Sequence, residues 1–150
     1  MTNAFTSHGK IVYDPHRGEM ARRTSWWCVA EVDTEITRYV RWWLQRELHI
    51  HLQPPSWDAH ISIVRGEKPD VQKVHNWKNY HKQHYEFSWD HFDIRSEEDK
   101  VNGGRFYWVN AQCPQFDKIR ESLGLRTGFR YHITVGRTYD YVARKPKGSK

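Results

Sequence analysis

At 150 residues, 37% hydrophobic and 15% aromatic with eight tryptophans, the chain has the apolar content for one buried core, which excludes a disordered polymer. The net charge of +6 suits polyanions with flat bases as partners, because cations meet phosphate and rings stack on bases; it equally suits simple solubility. No run approaches the roughly 20 apolar residues that a bilayer span needs, and residues 1–10 hold no apolar stretch of a secretory signal, so a soluble cytoplasmic protein is expected.

The first 24 residues read as a mixed N-terminal segment with one short strand at 10–14, ending in the turn chemistry of Asp14-Pro15. Residues 26–32 form a dense apolar run suited to a buried strand. Asp33 and Thr34 then offer N-caps, and Ile36, Val40, Trp43, Leu44 and Leu48 recur at helical spacing, which predicts a helix of about four turns. Trp42 lies beside that stripe and is assigned to the core. Residues 59–64 form the next strand.

Two further strands are expected at 85–89 and 92–95, and the charged stretch 96–104, ending in Gly-Gly, reads as an exposed loop. The earlier order then returns. Residues 106–113 are β-type, Pro114 suits a first helical position, Phe116, Ile119 and Leu123 follow at helical spacing, and Gly124 suits the cap. Residues 131–138 form the last strand, and 142–150 a basic flexible tail. Cys28 and Cys113 fall in apolar runs and are expected to act as small core side chains in a reducing compartment.

Strand–helix–strand therefore occurs twice, and each unit ends on the same pattern. The first reads His60-Ile61-Ser62-Ile63-Val64-Arg65 and the second His132-Ile133-Thr134-Val135-Gly136-Arg137. Strand side chains alternate, so His60 and Ser62 share one face while Ile61 and Ile63 share the other; His132 and Thr134 sit likewise over Ile133 and Val135. If a pseudo-twofold axis relates the halves, two imidazoles and two hydroxyls converge on one cleft. Such a set can cleave a phosphodiester. A neutral imidazole takes a proton from the attacking oxygen, a protonated one gives a proton to the leaving oxygen, and the hydroxyls hold the phosphate. No metal or other cofactor is needed. A single His-x-Thr would be a weak signal; the duplicate, each copy after a strand–helix unit, is a much stronger one.

The paired motifs resemble those of the 2H phosphoesterase superfamily, over roughly residues 25–140. The resemblance implies an α+β fold, bilobal, with two antiparallel sheets in pseudo-twofold symmetry around a central cleft and helices outside, in a single domain. It implies that His60 and His132 are the acid/base pair and that Ser62 and Thr134 bind phosphate, with Ser62 replacing the commoner threonine. It also implies a nucleotide or oligonucleotide substrate: a 2′,3′-cyclic phosphate, a 2′–5′ linkage or a cyclic oligonucleotide. Some phage relatives destroy cyclic nucleotide signals of bacterial defence, and the chain's small size is nearer to those; its place would then be the host cytoplasm. A monomer is expected.

Five further residues are candidates for substrate contact. Arg65 and Arg137 could clamp phosphate, yet in a regular strand they have the parity of the isoleucines, and only a bulge would turn them to the cleft. Trp57 could stack a base at the rim, with Tyr131 and Tyr13 as weaker alternatives. His49, His51, His81 and His84 have chelating spacings, but no acidic or thiol cluster completes a shell. An RNA-binding module without chemistry and a metal-dependent nuclease are the rival readings.

Overall fold

The computed structural model describes residues 4–16, 25–57 and 59–139. Helix α1 (Thr34–Leu48) starts where the sequence puts its cap, with the Asp33 carboxylate accepting from the Glu35 N–H at 2.9 Å. Its buried stripe is Ile36, Val40 and Leu44. Trp42, assigned above to the core, is 51% exposed and carries the Arg46 guanidinium 5.3 Å from its ring, while Leu48 is 54% exposed. Helix α2 (Pro114–Ser122) opens on Pro114, whose missing N–H costs nothing at a first turn. It buries Phe116 and Ile119.

Six antiparallel strands form one closed sheet in the order β1 (Ala4–Tyr13), β2 (Trp27–Glu31), β3 (His60–Arg65), β6 (Tyr131–Arg137), β5 (Arg105–Gln112) and β4 (His84–Glu98). Along the chain this is strand–strand–helix–strand, twice. The two separate sheets expected from the sequence are thus joined. One seam is the long pairing of β1 with β4, from Ala4↔Asp90 to Lys10↔His84. The other joins β3 to β6 at the single register pair Ile61↔Ile133.

Two expectations about local structure change. β1 starts at Ala4 rather than near residue 10, because residues 4–10 gain their ladder partners from β4 and not from their own apolar pattern. β4 is one strand of 15 residues instead of two, and Ser96, Glu97 and Glu98, expected in a loop, pair with Tyr107, Phe106 and Arg105. The break seen in the sequence is a register shift between Trp89 and Ile94. The basic tail expected at 142–150, and much of the N-terminal segment, lie outside the described residues.

Both helices serve the same face of the sheet. Ile61, Ile63, Ile133 and Val135 are buried together with Val40, Leu44, Phe116, Ile119 and Leu123. Burial of each isoleucine stabilises by about 2 kcal/mol. Cys28 and Cys113 are free thiols within that core, as their apolar runs foretold. α1 packs on β6 and α2 on β3, so each helix crosses to the other half's motif strand.

Each motif strand carries a bulge. On β3, Val29 pairs with Ser62 and Cys28 with Val64, leaving Ile63 extra. On β6, Trp108 pairs with Thr134 and Tyr107 with Gly136, leaving Val135 extra at the equivalent place. A bulged carbonyl that faces a core must find a donor elsewhere. An arginine supplies it in each case: Arg120 of α2 donates to the Ile63 carbonyl and Arg41 of α1 to that of Val135, both at 2.8 Å. Arg120, only 1% exposed, also forms a two-pronged ion pair with Glu67 (2.8 and 2.7 Å). Gly136 follows the second bulge because a Cβ there would lie 2.5 Å from the Gln53 carbonyl oxygen. That approach lets Gln53 bond Arg137 in both directions, at 2.8 and 3.0 Å.

The ion pair makes a stability prediction. Arg120 holds the Glu67 carboxyl below the usual carboxylate range, chiefly by hydrogen bonding. A depressed carboxyl contributes stability above its unfolded pKa and loses it as pH falls through the folded one. Arg120→Leu should cost about 3 kcal/mol in urea unfolding at neutral pH, with the gap to wild type narrowing as the solution is acidified. A gap that is negligible at neutral pH, or that widens in acid, contradicts this role.

Candidate active site

On the sheet face away from the helices, the Ile61↔Ile133 register sets His60 across from Thr134 and Ser62 across from His132. All four side chains are half-buried, and the two imidazoles lie on one diagonal. Among the described residues neither the Ser62 nor the Thr134 hydroxyl has a hydrogen-bond partner, so both can serve a ligand.

The bulge at Ile63 decides where Arg65 goes. Ile63 and Val64 both point into the core, at 2% and 0% exposure, and the parity of the strand flips after them. Arg65 therefore returns to the face of His60 and Ser62. Its Nη2 lies 3.1 Å from Nε2 of His132, which must accept that bond and so be unprotonated there. Arg65, a candidate whose strand parity was against it, is brought to the cleft by the bulge at Ile63.

Electrostatics agree with a neutral ring. The His132 pKa is lowered, first by burial, then by the Arg65 charge and by His60, while a hydrogen bond to the Arg130 backbone pulls the other way. His60 has different surroundings. Its ring stacks on Trp57, with centroids 3.7 Å apart and planes 25° apart, and Trp27 packs against Trp57 at 6.0 Å. The candidate base-stacker Trp57 thus lies flat on His60.

Beside His132 opens a cavity of about 550 Å³, lined by Arg65, Arg95, Trp108, Asn110, His132 and Thr134 among others. Trp108 stands 5.8 Å from the His132 ring. Asn110 pairs across the ladder with His132 and donates to Asp93 at 3.3 Å, and Asp93 binds Arg95 at 2.7 Å. Trp108, Asn110, Arg95 and Arg130 escaped the sequence reading. Alternation along 106–112 could have found the first two, since Val109 between them and Ala111 after them are buried.

Other candidates lie elsewhere. Arg137 also comes round after its bulge, but it is tied to Asp99 at 3.0 Å and to the Gly103 carbonyl at 2.6 Å, and it covers Phe106 and Tyr139. It fastens the 99–104 turn to β6. Tyr13 is a core residue packed on Trp77. Tyr131 is buried on the helix face and donates to Asp117 at 2.7 Å. Burial raises the pKa of both phenols. His81 accepts from the Tyr13 N–H through Nδ1. Among the described residues no three His, Cys, Asp or Glu gather as metal ligands would, and no helix is long and apolar enough to cross a membrane.

A family model described as 2H-SAK, Swiss Army Knife, 2H phosphoesterase domain, matches residues 32–143, well over half of the chain. The chain belongs to this 2H phosphoesterase family. The matched span includes both histidine strands and both helices, and it leaves β1 and β2 outside. No curated protein and no solved structure matches the chain significantly. Membership of the 2H phosphoesterase family supports phosphodiesterase-type chemistry in general, that of a phosphoric diester hydrolase.

The contact between Arg65 and His132 can be checked without a substrate. In an NMR titration, His132 should titrate below the usual imidazole range, and Arg65→Gln should raise its pKa by removing a nearby cation. An unchanged or lower value in the variant would show that Arg65 does not act on this ring.

Proposed function

We propose that the protein is a metal-independent phosphodiesterase of RNA-type nucleotide linkages, with His132 as general base and His60 as general acid. The observation that carries the assignment is the Arg65 contact, which leaves the lone pair of His132 Nε2 turned to the cleft. His60, stacked on the face of Trp57, has the surroundings that suit the ring carrying a proton, because an aromatic face attracts a cation.

On a 2′,3′-cyclic phosphate, water attacks phosphorus and gives its proton to His132. The bond from phosphorus to one ribose oxygen breaks, and that oxygen takes the proton of His60. On an open or cyclic oligonucleotide, the free ribose hydroxyl next to the phosphodiester (2′ in a 3′–5′ linkage, 3′ in a 2′–5′ linkage) replaces water, and the leaving group is the next nucleotide's 5′ oxygen. The same proton transfers serve both. Ser62 and Thr134 donate to the non-bridging oxygens as charge builds on them. Arg65 exchanges His132 for a phosphate oxygen when substrate enters, which frees the base and pairs a planar cation with the anion.

A panel of 2′,3′-cyclic mononucleotides, 2′–5′ oligoadenylate and cyclic di- and trinucleotides, incubated in chelator, tests the reading. Wild type should cleave at least one member. His60→Ala and His132→Ala should each lose at least about 100-fold in kcat, the lower bound for a positioned proton transfer. Cleavage of none, activity abolished by the chelator, or either variant matching wild type would sink it.

A further inference from the structure

A second cavity of about 690 Å³ adjoins the first and shares three of its walls, Arg95, Asn110 and Arg130. Either volume alone is within the range of about 300–1,000 Å³ usual for one small ligand, so the two together exceed the needs of a mononucleotide. Phosphodiester chemistry at His132 occupies only the first. The second extends past the shared wall to Gln112, Asp117 and Phe129.

The arginines along this groove differ in their pairing. Glu97 lines the first cavity and Asp93 and Asp117 the second; Arg95 is paired with Asp93 at 2.7 Å, and the Asp117 carboxylate accepts from the Tyr131 hydroxyl. Among the described residues, neither Arg65 nor Arg130 has a carboxylate within ion-pair distance of its guanidinium. These two arginines, outside any ion pair among the described residues, stand at separate points, Arg65 against His132 and Arg130 at the wall common to both cavities. One phosphate at His132 accounts for Arg65 and leaves Arg130 without an anion. Beyond Arg130, the Phe129 ring is 43% exposed and has the Arg120 guanidinium 4.1 Å from its centroid. The Arg126 guanidinium also lies 5.8 Å from that centroid, and the part of the ring that lines the cavity offers an aromatic surface for a flat base, with Asn110 and Gln112 in the same lining to meet polar edges.

We infer that the second cavity is a subsite for a neighbouring nucleotide, whose phosphate lies at Arg130 and whose base stacks on Phe129. The ligand class is an oligonucleotide with at least two phosphates, so a mononucleotide fills only half of the groove. The inference rests on the phosphodiesterase reading for what happens at the first phosphate, but not for binding.

Calorimetry with ligands that cannot be cleaved tests it: a 3′-phosphorylated mononucleotide and the corresponding 2′-O-methylated, 3′-phosphorylated dinucleotide. The dinucleotide should bind wild type at least ten-fold more tightly and with a steeper salt dependence. Phe129→Ala should remove most of that advantage while leaving mononucleotide affinity within about two-fold, and Arg130→Gln, at the shared wall, should weaken the dinucleotide several-fold more than the mononucleotide. Equal affinity for the two ligands, or variants that weaken both ligands alike or neither, would overturn the subsite. If the dinucleotide advantage appears and wild type cleaves no nucleotide, the subsite stands and the catalytic reading falls. If wild type cleaves nucleotides and the ligands bind equally, the reverse holds.

Discussion

The hydrogen bond from Arg120 to the carbonyl of Ile63, with its counterpart from Arg41 to Val135, is the constraint on which the site depends. A β-bulge in a buried strand exposes a carbonyl to the core, and an unpaired one would cost about as much as a lost hydrogen bond. Each helix meets this cost for the other half's strand. The same contacts therefore hold the halves together and hold the bulges open. Without the bulge on β3, the alternation of the strand would turn Arg65 to the helix side of the sheet, away from His132.

That arrangement gives the two faces of the sheet separate tasks. Ile61, Ile63, Ile133 and Val135 anchor the motif strands to one core. Their neighbours in sequence are thereby fixed on the opposite face without packing demands of their own, so the hydroxyls of Ser62 and Thr134 stay available to a ligand. The seam between β3 and β6 needs only the Ile61↔Ile133 pair because closure at the far side, β1 on β4, already holds the sheet. Arg137 shows the asymmetry between the halves. Its bulge matches that of Arg65, yet Asp99 and Gly103 claim its guanidinium, and one arginine is left free to face His132.

Much of the frame was legible from the residues. The alternation in His60–Ile63 and in His132–Val135, the Asp33 cap and Pro114 each act through local chemistry that pattern alone reports. What pattern could not report depends on partners distant in sequence. Residues 4–10 are strand because β4 lies beside them. Trp42 is exposed because its turn of α1 faces outward, although tryptophan itself favours burial. A parity count cannot say where a ladder breaks, so whether Arg65 reached the cleft turned on a bulge that the residues alone do not report. Tyr131, offered as a base-stacking candidate, directly precedes His132, and the same alternation turns it into the core, where its hydroxyl donates to Asp117.

In the proposed mechanism, two imidazoles in unlike surroundings divide base and acid duty across one cleft. The pH dependence of kcat/KM for wild type on a cleaved nucleotide, measured in chelator, tests it most directly. A bell is expected, with the acid limb below the ordinary imidazole range because burial and Arg65 favour neutral His132, and with an alkaline limb set by loss of the proton on the general acid. A rate that climbs steadily with pH, or does not depend on it, would contradict the division of labour.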